Sequence, residues 1–423
     1  MKKDKFFDRD GTRSVLASLL SIIIGMVVGS ILILIVGLCT PSLGISSAWE
    51  GIRLVFLGLF SKGRTAAGAL TFGFNPQTMG NMLFRATPLI MTGLSVGVAY
   101  KTGLFNIGAP GQYLMGTAVS LFIALSIPTS AAIEPFTRGS LPPFVVWLLA
   151  LLGGMLAGGL WGAIPGLLKS LLNINEVLAC IMTNWISANV VTWAFETSNL
   201  KNIYENTKSG YIYKTTYNGV ATSKMGLDKI FSGSQVNGGI LIAILLAIVV
   251  YIMLSRTTFG YQLKACGSNR FASRYAGIMD RRNIVLSMAI AGMLAGAGGA
   301  LYNLSGNTEF FWSTYQSLPA VGFNGIPVAL LASSNPIAII FTGLFMSMLN
   351  ICGLQLTNLT AYNEYITDVI ISVIVYLSAF SLVIKMLIGR RAARKREMTA
   401  NANAEPEPAA PAAVSLKKEA KES

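Results

Sequence analysis

Histidine is absent from all 423 residues. With it go the commonest zinc ligand, the usual side-chain proton shuttle and any catalysis by imidazole. Charge is scarce as well: Asp, Glu, Lys and Arg make up 12% of the chain, against 53% hydrophobic residues and a mean hydropathy of +0.60. That balance lies well to the apolar side of soluble domains. The four cysteines include no pair at metal or redox spacing: Cys39, Cys180 and Cys352 lie in or beside apolar runs, and Cys266 lies in a basic loop. No metal site and no cofactor is expected. Acidic residues within apolar stretches are few, and the candidates Glu176, Glu309, Glu364 and Asp368 fall near run ends. Their scarcity counts against ion or proton coupling while leaving that class open.

What remains is apolar sequence in long runs, and it reads as an all-α, polytopic membrane protein, because only helices satisfy their own backbone in hydrocarbon without closing a barrel. Crossings are expected at 15–38, 83–100, 112–127, 144–168, 177–195, 239–254, 284–301, 318–332, 337–356 and 365–388. The segment at 318–332 is broken, and an apolar piece at 52–60 is too short to span. The expected total is about ten crossings, or about eight if the broken segments re-enter.

Net charge is 32 − 18 = +14, yet the basic residues flank the apolar runs instead of covering one face, so nucleic acid is not an expected partner. Lys2, Lys3, Lys5, Arg9 and Arg13 precede the first run, and Arg390, Arg391, Arg394, Lys395 and Arg396 follow the last. The positive-inside rule then places both termini in the cytoplasm. The expected organisation is a cytoplasmic segment at 1–14, a membrane domain over 15–388 and a disordered, Ala-, Pro- and Glu-rich cytoplasmic tail over 389–423. Within the membrane domain, 196–237 is the longest polar loop and falls outside, whereas 255–283 falls inside with Arg256, Lys264, Arg270, Arg274, Arg281 and Arg282.

Some patterns carry less than their spacing suggests. GLFSKGRT at 58–65 has phosphate-loop spacing, but Arg64 stands where lysine is needed and no core strand precedes it. The sequons NLS at 303 and NLT at 358 lie at span ends and carry no weight. The small-residue stripes Ala291, Ala295, Gly299 and Gly292, Gly296, Ala300, with GGMLAGGLWG at 153–162, are expected to pack helix on helix.

SNRFASRYAG at 268–277 differs in kind. Ser268 is a suitable N-cap and Gly277 a suitable residue just past a C-terminus, which predicts about two helical turns over 269–276. Phe271, Tyr275 and Ile278 share one face, and Arg270 and Arg274 form a stripe beside it. Such a surface suits lipid headgroups or a protein groove equally.

The longer stretch RTTFGYQLKACGSNRFASRYAGI at 256–278 resembles the cytoplasmic coupling segment of ABC importer permeases of the branched-chain amino acid, ribose and nucleoside family. GLFNIGAPGQYLMG at 103–116, INEVLACIMTNWI at 174–186 and GFNGIPVALLASSNPIAII at 322–340 resemble further motifs of that family in matching order. The nucleoside branch is the most similar, through Asn106 to Gly108 and Gly111 with Gln112. Pro110 departs from the pattern, since many members carry Glu there.

The resemblance implies a permease subunit that is not itself an enzyme and that sits in the plasma (inner) membrane. Its implied partners are a cytoplasmic ABC ATPase, a second permease that is related but different, and an extracytoplasmic substrate-binding lipoprotein. Residues Ser268, Asn269, Arg270, Phe271, Arg274 and Tyr275 would meet the ATPase. Asn106, Gln112, Asn184 and Asn324 are the candidates for contacting a nucleoside or related sugar, because amides bind hydroxyls and base edges without burying charge. The alternative is an ion-coupled carrier of a small polar solute, whose broken helices would look similar.

Overall fold

The computed structural model describes residues 10–40, 44–202 and 210–363, with scattered positions from 365 to 387. The tail at 389–423, much of the expected 1–14 segment, positions 203–209 and most of the expected crossing at 365–388 lie outside the described residues.

Helix α1 (Asp10–Cys39) packs against α2 (Gly44–Leu57) around Ile33, Leu54 and Tyr362, whose hydroxyl donates to the Ile33 carbonyl at 2.8 Å. The short apolar piece expected at 52–60 is thus the end of a longer helix. A small antiparallel hairpin follows, β1 (Ser61–Arg64) with β2 (Leu70–Phe72). It contains the end of GLFSKGRT. Arg64 ties the hairpin down by donating to Glu50 and, at 2.9 Å, to the Leu359 carbonyl. The next helix begins only at Pro76, so the stretch has neither the strand–loop–helix order nor the free cation of a phosphate loop.

The bundle continues with α3 (Pro76–Lys101), α4 (Ala109–Ser126), α5 (Pro143–Leu172), α6 (Glu176–Glu196), the single-turn α7 (Leu227–Ile230), α8 (Gly239–Arg256), α9 (Thr258–Ser268), α10 (Arg270–Tyr275), α11 (Asp280–Asn303), α12 (Ala320–Leu331) and α13 (Pro336–Leu359). Asn75 and Pro76 start α3 cleanly, the Asn75 side chain accepting from the Gln77 and Thr78 amides. Pro88 lies inside α3 without ending it, and Thr92 donates back to the Pro88 carbonyl at 2.9 Å.

Seven helices among the described residues are long and apolar enough to cross a membrane: the apolar part of α1, with α3, α5, α6, α8, α11 and α13. The chain is therefore a polytopic α-helical membrane protein. Of the other expected crossings, α4 carries the polar Gln112 in its first turn, and α12 has only 12 residues. At 1.5 Å per residue α12 extends about 18 Å, short of a hydrocarbon core of roughly 30 Å. With the irregular 304–319 before it, α12 forms the broken segment that the sequence suggests.

Helix α11 sits at the centre, against α3, α4 and α5. A β-carbon added at Gly292 would overlap the Gly158 carbonyl oxygen, and one at Gly296 would overlap the Gly154 carbonyl oxygen. The small-residue stripes thus bring α5 and α11 into backbone contact. They serve packing.

Loops gather at the two ends of this bundle. At one end, Asn218 donates to the Ala124 and Ile127 carbonyls at 2.7 and 2.6 Å, and the Thr222 amide donates to the Leu304 carbonyl at 2.7 Å. The described part of the long loop is therefore a folded cap over the α4–α5 and α11–α12 connections. At the other end lie residues 102–108, the α5–α6 turn and α9 with α10. Gly103 and Gly267 touch there, and Lys169 pairs with Glu176 at 3.0 Å.

Candidate functional site

Two features stand out from regular helix packing: the interruption between α3 and α4, and the elbow formed by α9 and α10.

The interruption is enclosed around Asn106 and Gly108, while Gly103 reaches the surface. After Lys101 the chain turns through Gly103, whose φ of +74° suits glycine, and runs irregularly to Gly108 before α4 begins. Backbone groups in such a stretch lack helical partners and need side chains instead. Asn106 and Gln112, 0% and 1% exposed, supply them as a reciprocal amide pair. The Asn106 amide nitrogen donates to the Gln112 carbonyl oxygen at 2.8 Å, and the Gln112 nitrogen returns a bond to Asn106 at 3.0 Å. Asn106 also donates to Ser95 on α3 and accepts from the Gly108 amide. From α6, Asn184 donates to the Ile107 carbonyl and accepts from the Gly111 amide, at 3.0 and 2.9 Å. Three of the four amides singled out in the sequence therefore converge, and each is occupied by protein partners.

The fourth is placed differently. Asn324 lies on α12, half-buried, and its side chain makes no hydrogen bond with any described residue. Gly322 and Gly325 hold α12 against the interruption: a β-carbon at Gly322 would overlap Pro110, and one at Gly325 would come within 2.6 Å of Thr92. Pro110, the departure from the family pattern, is thus a packing surface for α12.

The elbow is built from local signals. Thr257 caps α9 by accepting from the Gly260 amide at 3.1 Å. Asn269, extended at φ −153°, ends that helix and caps α10 by accepting from the Ala272 amide at 3.0 Å. Ser268, expected as the cap, is instead the last residue of α9. Gly277 closes the turn at φ +76° as expected.

Helix α10 has one anchored face and one bare face. Arg270 donates to Asp280 at 2.7 Å, and Arg274 donates to the same carboxylate at 2.8 and 3.3 Å. Asp280 is 5% exposed and opens α11, where a negative charge also suits the helix dipole. The Arg274 guanidinium is held further towards its charged form, first by that hydrogen bond and then by the carboxylate's charge. Ser273 lies against Cys266 beneath the helix. Phe271 and Tyr275, by contrast, are 74% and 95% exposed. Asp280 escaped the sequence reading, although it is the single acid in a stretch, 255–283, with six basic residues. That isolation was the available signal.

This geometry can hold a broken helix rigid inside the bundle and present two aromatic rings at its end, and among the described residues it contains no cluster fit to bind a metal. The family described as branched-chain amino acid transport system / permease component matches residues 78–379. The chain belongs to this permease family. The match takes in both features, from α3 through α10 to α13. The nucleoside ABC transporter permease protein NupB of Lactococcus lactis is 33% identical over 91% of this chain and 96% of its own length. The guanosine ABC transporter permease protein NupP of Bacillus subtilis is 31% identical over 89% of this chain and 96% of its own length. A second protein of that organism, the guanosine ABC transporter permease protein NupQ, is 25% identical over 62% of this chain and 77% of its own length. No solved structure matches the chain.

Proposed function

We propose that this permease forms, with a second related permease, the membrane path of an ABC importer for nucleosides or related sugars. A separate cytoplasmic ATPase drives it, and an extracytoplasmic lipoprotein delivers the substrate. The carrying observation is near-full-length similarity to two permeases named for nucleoside and guanosine transport. The presence of two distinct guanosine permease proteins in one organism supports a different chain as the second permease.

In this reading both termini and the α9–α10 elbow face the cytoplasm, and the 196–237 loop faces outward. The bare aromatic ridge of Phe271 and Tyr275 enters a groove of the ATPase, with Ser268 and Asn269 at its base. Arg270 and Arg274 relay movement of that ridge to α11 through Asp280. Asn324 meets the substrate directly, whereas Asn106, Gln112 and Asn184 contribute to the path by fixing the backbone that lines it. The test is uptake of labelled guanosine by cells carrying the complete system, with and without this chain, together with identification of the subunits that co-purify with it. Uptake that persists without the chain, or purification with no ATPase bound, rejects the proposal.

A further inference from the structure

The first half of α3 carries a charge that the described residues leave uncompensated. Gln77, Asn81 and Arg85 follow one another at helical spacing, and they line a recess of about 330 Å³ that Gln355 and Asn358 of α13 bound on the other side. The turn at Gly233 and Gln235 forms its rim, and the Gln235 amide donates to Asn81 at 2.9 Å. Arg85 is the deepest exposed residue of α3, because Ala86 to Ala99 are buried without a break. It lies nine residues past Pro76, about 13 Å along the helix.

Neighbouring arginines are accounted for. Arg53 lies over the Phe72 ring, 4.9 Å from its centroid, and Arg64 pairs with Glu50. Arg85 has no acid and no hydrogen-bond acceptor among the described residues. A guanidinium at that depth in a membrane helix is expensive without an anion, and its flexible stem lets it rise towards the headgroup level. Amides around it offer donors and acceptors for a hydroxylated headgroup. Ile351 and Leu354 add an apolar wall on the α13 side. A soluble anion would have no use for that wall.

We infer that this recess binds the headgroup of an anionic phospholipid, with Arg85 on the phosphate and the α3 and α13 amides on the polar remainder. Its volume suits a headgroup better than a whole lipid, being at the lower end for small-molecule sites. The site lies at the end of the bundle opposite the α9–α10 elbow, so the proposed orientation places it in the outer leaflet. Binding itself does not depend on that orientation or on the transport reading.

The full-length chain in detergent, titrated with phosphatidylglycerol and followed by native mass spectrometry, tests this. Arg85→Gln should weaken phosphatidylglycerol retention about tenfold or more, the scale of one lost charge-assisted contact, while phosphatidylcholine binding changes little. Arg85→Lys should retain most of the affinity. Gln355→Ala, which removes a half-buried amide without touching the charge, gives a smaller loss and guards against misfolding of the arginine variants. Equal lipid retention in all four proteins overturns the inference. Displacement of the lipid by millimolar inorganic phosphate overturns the lipid assignment in favour of a soluble anion. If Arg85→Gln leaves lipid bound but releases a co-purifying extracytoplasmic protein, the anion is a protein carboxylate and the inference also fails.

Discussion

Amide side chains within the bundle divide by what they already touch. Asn106 and Gln112 bond each other reciprocally, so removing one leaves the other short of a partner in a buried site. Such a loss costs about 1–3 kcal/mol. Asn106→Leu or Gln112→Leu should therefore lower the thermal midpoint of the purified permease and reduce uptake together. Asn324→Leu should reduce guanosine uptake with the midpoint unchanged, because no described partner is lost. Comparing uptake with melting for the three variants separates the roles, and a destabilised Asn324→Leu would return that residue to packing. The sequence made all four look alike. Their difference arises from the convergence of α3, α4 and α6, including an Asn184–Gly111 bond across 73 positions, and residue type and spacing do not report such contacts.

Among the elements, the elbow shows how far local sequence reaches. A short helix ending at Gly277 with an aromatic face was legible, since capping and helical spacing act within a few residues. The cap was displaced by one position, because Asn269 adopts the extended conformation that Ser268 would otherwise take. The role of the arginines was not legible: as a free stripe they would be rim charges of little weight, whereas the structure commits both to Asp280. Two expectations follow from that division of faces. Phe271→Ala with Tyr275→Ala removes aromatic anchors each worth about 2 kcal/mol at an interface, together roughly a thousandfold in affinity if additive, and should abolish co-purification of the ATPase. Asp280→Asn keeps the ridge intact and should leave the ATPase bound, but it should lower the nucleoside transported per ATP hydrolysed. If Asp280→Asn reconstituted in proteoliposomes kept a normal ratio, the clamp would not be part of the coupling route.

At the scale of the molecule, span periodicity and the small-residue stripes of α5 and α11 prescribed a helical membrane bundle, and the bundle formed around those stripes. What the apolar pattern alone left open was the treatment of short elements, since α12 and the chain before it are resolved only by their packing on α3 and α4. Orientation is a separate property, carried by charge and parity. Six basic residues lie within 255–283, and the long polar loop lies one crossing away, on the other side of α8. The basic excess favours the cytoplasm for the α9–α10 end, and a crossing by α8 then forces the 196–237 loop outward. An alkaline phosphatase fusion after Tyr213 should be active, and one after Arg270 inactive, with a cytoplasmic fluorescent reporter giving the reverse pattern. Reversal of both fusions would invert the protein and remove the aromatic ridge from any ATPase. Agreement of both fusions on one side would mean that α8 does not cross, and the two-ended organisation built on it would fail with the coupling assignment.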